Sequence, residues 1–149
     1  MDKLLKIILK YRKNTKKSIL TRHALKFLYK IDLPKEVIIG NEFVLAHNAI
    51  GLVIHPNTII GNNVKIYQGV TLGRSDIYRN ITESKFEKIK INDDVIICAG
   101  AKVICKQGTL TIGKGTLIGA NAVLTCSTGE NEIWAGIPAK KIGYRSQCI

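Results

Sequence analysis

The stretch Ile54–Leu72, IHPNTIIGNNVKIYQGVTL, decides how the rest of the chain is read. Ile54, Ile60, Ile66 and Leu72 recur at every sixth position, and Thr58, Val64 and Val70 each fall four places after one of the first three. A period of six belongs neither to an amphipathic helix, with its period of about 3.6, nor to an alternating strand, with its period of about 2. It belongs to a solenoid in which six residues make one short strand and one turn. The recurring aliphatic side chain points into an interior shared by successive rungs, and stacking buries it.

Counting outward, Ile39, Leu45, Ile91, Ile97, Val103, Ile112, Ile118 and Leu124 hold the same position. Gly40, Gly61, Gly73, Gly113 and Gly119 directly follow five of these aliphatic residues, where the spacing predicts left-handed turn backbone. Asn41, Asn62, Asn63, Asn92 and Asn121 stand at turn positions suited to the same conformation. The β-branched content fits short strands stacked in parallel. Three interruptions break the count: extra residues around Gly51, more at Lys106-Gln107-Gly108, and the polar segment Gly73–Lys90. The last is too long for a turn and is expected to leave the solenoid as a functional loop over 73–90.

Before the repeat, residues 3–12 and 18–30 read as two basic helices joined at Asn14-Thr15. Leu4, Leu5, Ile8, Leu9 and Tyr11 give the first an apolar face, and Leu20, Ala24, Phe27 and Leu28 are expected to do so for the second. Asp32-Leu33-Pro34 breaks helix and starts the solenoid. The expected organisation is a basic helical segment over 1–31, an all-β solenoid over 32–131, and a C-terminal tail over 132–149 that leaves the repeat.

The net charge of +12 is concentrated at the start, where the first thirty residues carry ten Lys/Arg against the single acid Asp2. Such a cluster raises nucleic-acid binding, but no aromatic platform or nucleic-acid motif accompanies it, so no nucleic-acid partner is expected. Lys residues interleaved with Leu and Ile over residues 1–30 suit contact with an anionic membrane surface, and equally suit helices that cap the first rung. Cys98, Cys105, Cys126 and Cys148 show no metal-site spacing, which predicts reduced thiols and a cytoplasmic setting. No apolar run reaches the ~18 residues of a membrane span, and Lys6 interrupts the apolar start, so no signal peptide is expected.

Several segments together resemble the hexapeptide-repeat acyltransferases: Asp32-Leu33-Pro34, Ala46-His47-Asn48-Ala49-Ile50-Gly51, Val70-Thr71-Leu72-Gly73, Ile97-Cys98-Ala99-Gly100-Ala101-Lys102, Ile118-Gly119-Ala120-Asn121 and Ala135-Gly136-Ile137-Pro138-Ala139-Lys140. The chain looks most like the serine acetyltransferase-like branch, which includes polysaccharide O-acetyltransferases. That resemblance implies a left-handed parallel β-helix, a homotrimer with active sites between subunits, and acetyl-CoA as co-substrate. It puts His47 at the catalytic-histidine position, taking the proton of an acceptor hydroxyl as it attacks the thioester; imidazole, with its ordinary pKa near ~6.5, suits the task. Without the resemblance, His47 reads as a turn residue satisfied by backbone. Asp32 matches the family aspartate that orients the histidine, and otherwise reads as the start of a turn before Pro34.

For coenzyme A the resemblance implies Gly73 and Ser75 near the thioester, with the Gly73 amide facing the carbonyl, and Ala99, Gly100 and Ala120 as small residues beside the pantetheine arm. Lys140 and Lys141 would meet the nucleotide phosphates. Trp134 reads as a packing residue. His55, before Pro56, reads as structural, and with His23 and His47 it does not make a three-histidine metal set, so no metal is expected.

Two departures bear on the acceptor. Serine acetyltransferases carry an aspartate before the catalytic histidine, where this chain has Ala46, and a second active-site histidine where it has Lys88. A serine ammonium would lose an acid and meet a cation. The expectation is therefore a sugar or polysaccharide-precursor hydroxyl as acceptor, with Lys88 and Arg74 contacting an anionic glycan. Serine O-acetylation and a non-catalytic trimeric scaffold stand as the alternatives.

Overall fold

The computed structural model of the chain describes residues 18–145, together with Leu5, Lys6 and Leu9. The expected helix over 3–12 and the state of Cys148 otherwise lie outside the described residues. Helix α1 (Ser18–Tyr29) leads into strands that build three faces of a prism. The first face holds β1 (Ile38–Ile39), β4 (Thr58–Ile60), β7 (Phe86–Ile91) and β10 (Gly108–Ile112). The second holds β2 (Val44–Leu45), β5 (Lys65–Ile66), β8 (Ile96–Ile97), β11 (Leu117–Ile118), β13 (Glu132–Ala135) and β14 (Lys140–Tyr144). The third holds β3 (Val53–Ile54), β6 (Thr71–Arg74), β9 (Lys102–Cys105) and β12 (Val123–Leu124).

Through β12, every strand pairs in parallel with the strand one turn of the coil away, forming a left-handed parallel β-helix. The six-residue register explains the core. Ile39, Ile60, Ile91 and Ile112 stack on the first face, Leu45, Ile66, Ile97 and Ile118 on the second, and Ile54, Leu72, Val103 and Leu124 on the third. All but Ile39 are fully buried. Burying one such side chain is worth roughly 1.5–3 kcal/mol, so these columns supply the main drive for stacking.

The glycines after the aliphatic residues serve a different purpose from the expected one. Gly40 and Gly61 do not have the left-handed backbone found at Gly51, Gly69 and Gly100. They are small because rungs approach closely: a Cβ on Gly40 would stand 2.7 Å from the Gly61 carbonyl carbon, and one on Gly61 would stand 2.9 Å from the Asp93 nitrogen. Of the named asparagines, Asn63 and Asn121 are left-handed. Asn62 instead works as a rung-to-rung link, its Oδ1 accepting from the Asn41 amide at 2.9 Å while its own amide donates to Asp93 Oδ1 at 2.7 Å.

Two boundaries and one helix face also differ. The segment outside the strands between β6 and β7 is 75–85, because Gly73 and Arg74 extend β6 and Phe86–Lys90 belong to β7. The C-terminal residues continue the solenoid: β13 pairs with β11, setting Trp134 on Ile118, and β14 folds back antiparallel on β13. Helix α1 buries Thr21, Leu25 and Tyr29, four residues apart, and leaves Leu20, Phe27 and Leu28 exposed. Leu25 meets Leu5, Ile31 and Leu33 in the core, so the helix closes over the first rung. It ends at Lys30, whose φ of 56° turns the chain toward Ile31. Among the described residues, no helix is long and apolar enough to cross a membrane.

Candidate active site

The edge between the second and third faces is built from small residues. Gly51, Gly69 and Gly100 occupy it on successive rungs, all with left-handed backbone. A Cβ on Gly69 would stand 3.6 Å from the Gly100 Cα, so backbone packs on backbone along this edge. Ala99 and Ala120 lie beside the column, and the amides of Gly69, Gly100 and Asn121 donate to Ile50, Gln68 and Ala99 carbonyls at 2.8–2.9 Å. The rung-to-rung bonds of this edge are already made, and the Lys102 ammonium reaches across it to donate to the Gly69 carbonyl at 2.6 Å.

His47 stands on the same edge, inside the tight 3-10 turn Ala46–Ala49. The extra residues of this rung thus include the histidine. His47, Asn48 and Ala49 have φ of 50°, 56° and 43°, three successive non-glycine residues in left-handed backbone. Each costs roughly 1–2 kcal/mol, a strain that a simple turn would avoid. It pushes the exposed imidazole out from the prism, while Ala49 anchors the turn in the core. The ring meets Tyr67 of the next rung, with centroids 5.7 Å apart and planes at 48°.

The carboxylate expected to orient that imidazole is engaged elsewhere. Asp32 Oδ1 lies 3.4 Å from Arg22 Nη2 and Oδ2 lies 3.0 Å from Lys26 Nζ, both on α1. Its backbone bridges to Val53, accepting from Ile54 at 2.9 Å. In this protomer Asp32 fastens the helix to the solenoid, and sequence matching alone missed the cations ten and six residues before it.

Of the residues expected to bind coenzyme A, Ala99, Gly100 and Ala120 share the edge with His47. Gly73 and Ser75 lie at the far edge, between the third and first faces. The Thr71 and Ser75 amides both donate to the next rung, at Ala101 and Cys105. Strand alternation turns the Gly73 amide the same way, toward the next rung, and a Cβ on Gly73 would meet nothing within 4 Å. Lys140 and Lys141 lie on β14, at the end of the second face. Lys140 is exposed, whereas Lys141 Nζ is held 3.3 Å from Glu132 Oε1 and 3.2 Å from the Tyr144 hydroxyl. The Tyr144 hydrogen bond, then Glu132, raises the Lys141 pKa.

Arg74 is likewise occupied. Its Nη1 donates to the Asp76 carbonyl and Oδ1, both at 2.9 Å, and its Nη2 donates to the Arg79 carbonyl at 3.0 Å. Ser84 donates to the other Asp76 oxygen at 2.7 Å, and this Ser84 bond leads in drawing the carboxyl below its ordinary pKa. Arg74 therefore locks the base of the 75–85 loop, correcting its expected glycan contact. His55 lies near it, with Nδ1 accepting from the Asn57 amide at 3.1 Å and its ring edge-on to Phe86 at 4.6 Å. Burial, then the Arg74 charge, lowers the His55 pKa, which suits a neutral structural imidazole. Lys88 is exposed on β7 in a cleft it shares with Glu36, Asn57 and Glu87. Trp134 packs against the core and donates to Glu132 Oε2 at 2.8 Å.

No protein-family model matches the chain. Curated relatives do: a serine acetyltransferase of Bacillus licheniformis is 35% identical over 117 residues, covering 78% of this chain and 50% of that protein. One of Mycobacterium tuberculosis is 35% identical over 128 residues, covering 84% of this chain and 52% of that protein. Among solved structures, the serine acetyltransferase of Brucella abortus in complex with coenzyme A is similar with a TM-score of 0.77 and 28% identity, covering 95% of this chain and 54% of that chain. The chain spans about half the length of the curated relatives it matches. These names overturn the expected sugar or polysaccharide acceptor in favour of the serine alternative. The departures at Ala46 and Lys88 are two positions within the 117 residues over which this chain aligns with the first of these serine acetyltransferases.

Proposed function

We propose that the chain is a hexapeptide-repeat acyltransferase and, on that premise, an acetyl-CoA-dependent serine O-acetyltransferase with His47 as general base. The observation that carries this reading is the strained Ala46–Ala49 turn, which presents an exposed imidazole beside a column of glycines. A hydroxyl is a poor nucleophile at neutral pH, so a positioned base is the first requirement. His47 takes the serine hydroxyl proton while that oxygen bonds to the thioester carbonyl carbon. The tetrahedral species then collapses, the carbon–sulfur bond breaks, and the imidazolium returns its proton to the departing thiolate. Ester and thiol leave together, with the enzyme unchanged.

Ala99, Gly100 and Ala120 fit a pantetheine arm because these positions carry small side chains and the ladder bonds beside them are satisfied. Lys140, exposed near the end of the prism, suits the nucleotide phosphates. Lys88 offers an ammonium to the carboxylate of serine, and the neighbouring Glu36 and Glu87 supply the negative sign that a zwitterion also needs. Lys88 and His47 lie on separate parts of one protomer, which supports a homotrimer with sites between subunits. Reduced cysteines and a thioester substrate are in keeping with a cytoplasmic setting. The basic N-terminal residues and the exposed Ile19, Leu20, Phe27 and Leu28 support peripheral contact with an anionic bilayer.

The test is thiol release from acetyl-CoA with serine, nucleotide sugars and oligosaccharides as acceptors, using the full chain and His47→Ala. Serine turnover that is lost in a folded His47→Ala protein supports the reading. Turnover with a sugar alone, with no acceptor, or undiminished in His47→Ala overturns it.

A further inference from the structure

Resting on the assignment of His47 as base, we infer that Tyr67 is the positioning residue of that base, holding the imidazole and favouring its protonated form through the face of its ring. Three observations converge. His47 sits in left-handed backbone with its side chain exposed, so little of the prism restrains the ring from behind. The carboxylate fifteen residues before it is engaged by Arg22 and Lys26. Tyr67, in the next rung, lies with its ring centroid 5.7 Å from the imidazole centroid and tilted by 48°, within the range of favourable aromatic pairs.

Tyr67 is itself well fixed. It follows β5 directly, its amide donates to the Ile97 carbonyl at 3.0 Å, and Ile66 before it is fully buried. The aromatic ring therefore stands on the rigid ladder while the histidine stands on a strained turn. When His47 takes a proton during acyl transfer, the new positive charge lies within cation–π range of the ring. The contact strengthens as the charge develops, so Tyr67 assists the protonated state as well as the ring's orientation. The hydroxyl has no part in this, and phenylalanine should replace tyrosine.

The experiment compares Tyr67→Phe, Tyr67→Leu and His47→Ala in the full chain, measuring kcat, KM for acetyl-CoA and the pH profile of kcat/KM. Loss of the ring contact removes that support at the charge developing on the imidazole. Tyr67→Leu is expected to reduce kcat roughly tenfold, move the acidic limb to lower pH and leave KM for acetyl-CoA unchanged, while Tyr67→Phe retains wild-type values. A Tyr67→Leu enzyme with unaltered kcat and acidic limb overturns the inference, as does a Tyr67→Phe enzyme as impaired as Tyr67→Leu. His47→Ala separates the two readings: activity that survives it removes the base assignment itself. Circular dichroism with a thermal melt identifies unfolding, and if Tyr67→Leu does not fold, Tyr67→Met supplies the same comparison.

Discussion

The Lys26 ammonium stands 3.0 Å from Asp32 Oδ2, and with Arg22 on the other oxygen it joins helix α1 to the first rung of the solenoid. Helix and rung thus meet through both a buried contact at Leu25 and a charged one at the surface. The partners remain a third to a half exposed, so the ion pairs are screened.

Asp32→Asn is accordingly expected to cost at most about 1 kcal/mol, read as a fall of roughly 2–4 °C in Tm. Turnover should stay within a few-fold of wild type. A carboxylate that held the catalytic tautomer would instead cost on the order of 10⁴ in kcat, and a loss of that size would return Asp32 to the imidazole.

Arg74→Ala is expected to free the 75–85 loop while the prism keeps its melting temperature. Amide hydrogen exchange should accelerate at Arg79 and Phe86 and stay slow at Thr71 and Val103. The loop also has a pH response. The folded Asp76 pKa is depressed, chiefly by Ser84, so its contribution is present above the ordinary aspartate pKa and is lost as pH falls through the lowered one. Exchange at the loop should rise on acidification before the core opens.

Glu132 fastens the last rung. Its Oε2 accepts from the Gly129 amide at 2.7 Å and the Trp134 indole at 2.8 Å, and the indole is the leading cause of its lowered pKa. Glu132→Ala removes both bonds and is expected to cost roughly 1–3 kcal/mol. In the wild type this contribution is fully present above the ordinary glutamate pKa and lost as pH falls through the lowered one. Trp134 fluorescence during acid titration reports the transition.

Ile97 lies fully buried between Ile66 and Ile118 in the second-face column. Ile97→Ala should destabilise by about 2–5 kcal/mol, since both neighbouring rungs are held at fixed spacing and cannot collapse into the void. Denaturant unfolding measures it; a cost below 1 kcal/mol would show that the rungs relax.

Bilayer contact is tested by co-sedimentation with vesicles containing phosphatidylglycerol or phosphatidylcholine alone. Leu20 and Phe27 are exposed at 71% and 78%, so Leu20→Glu/Phe27→Glu should leave the fold intact. The wild type is expected on anionic vesicles at low salt and the double variant in the supernatant. Wild-type protein that stays in solution removes the membrane reading.

The prism was legible because its signal is periodic: one aliphatic residue per six sets both the strand and the column above it. The same count could not tell why Gly40 and Gly61 are glycine, since close rung approach and left-handed backbone leave the same letter. It missed the helix face because leucine and phenylalanine at Leu20, Phe27 and Leu28 look like core, while Thr21 and Tyr29 do not. Arg74 read as a free cation because its acceptors Asp76 and Arg79 are brought together only by the turn of the loop. At the site, His47 and the small residues Ala99, Gly100 and Ala120 could be placed on one edge from register. The Tyr67 contact depends on two rings leaning together across rungs, and spacing carries no sign of that.

A column of parallel rungs leaves amides and carbonyls unpaired at each extremity, and nothing in a six-residue period says where to stop. The antiparallel return of β14 reverses chain direction over the final rung and presents Lys140 to water on its outer strand. A strand arriving at this face meets the opposite polarity and a positive charge, which disfavours edge-to-edge stacking on the second face.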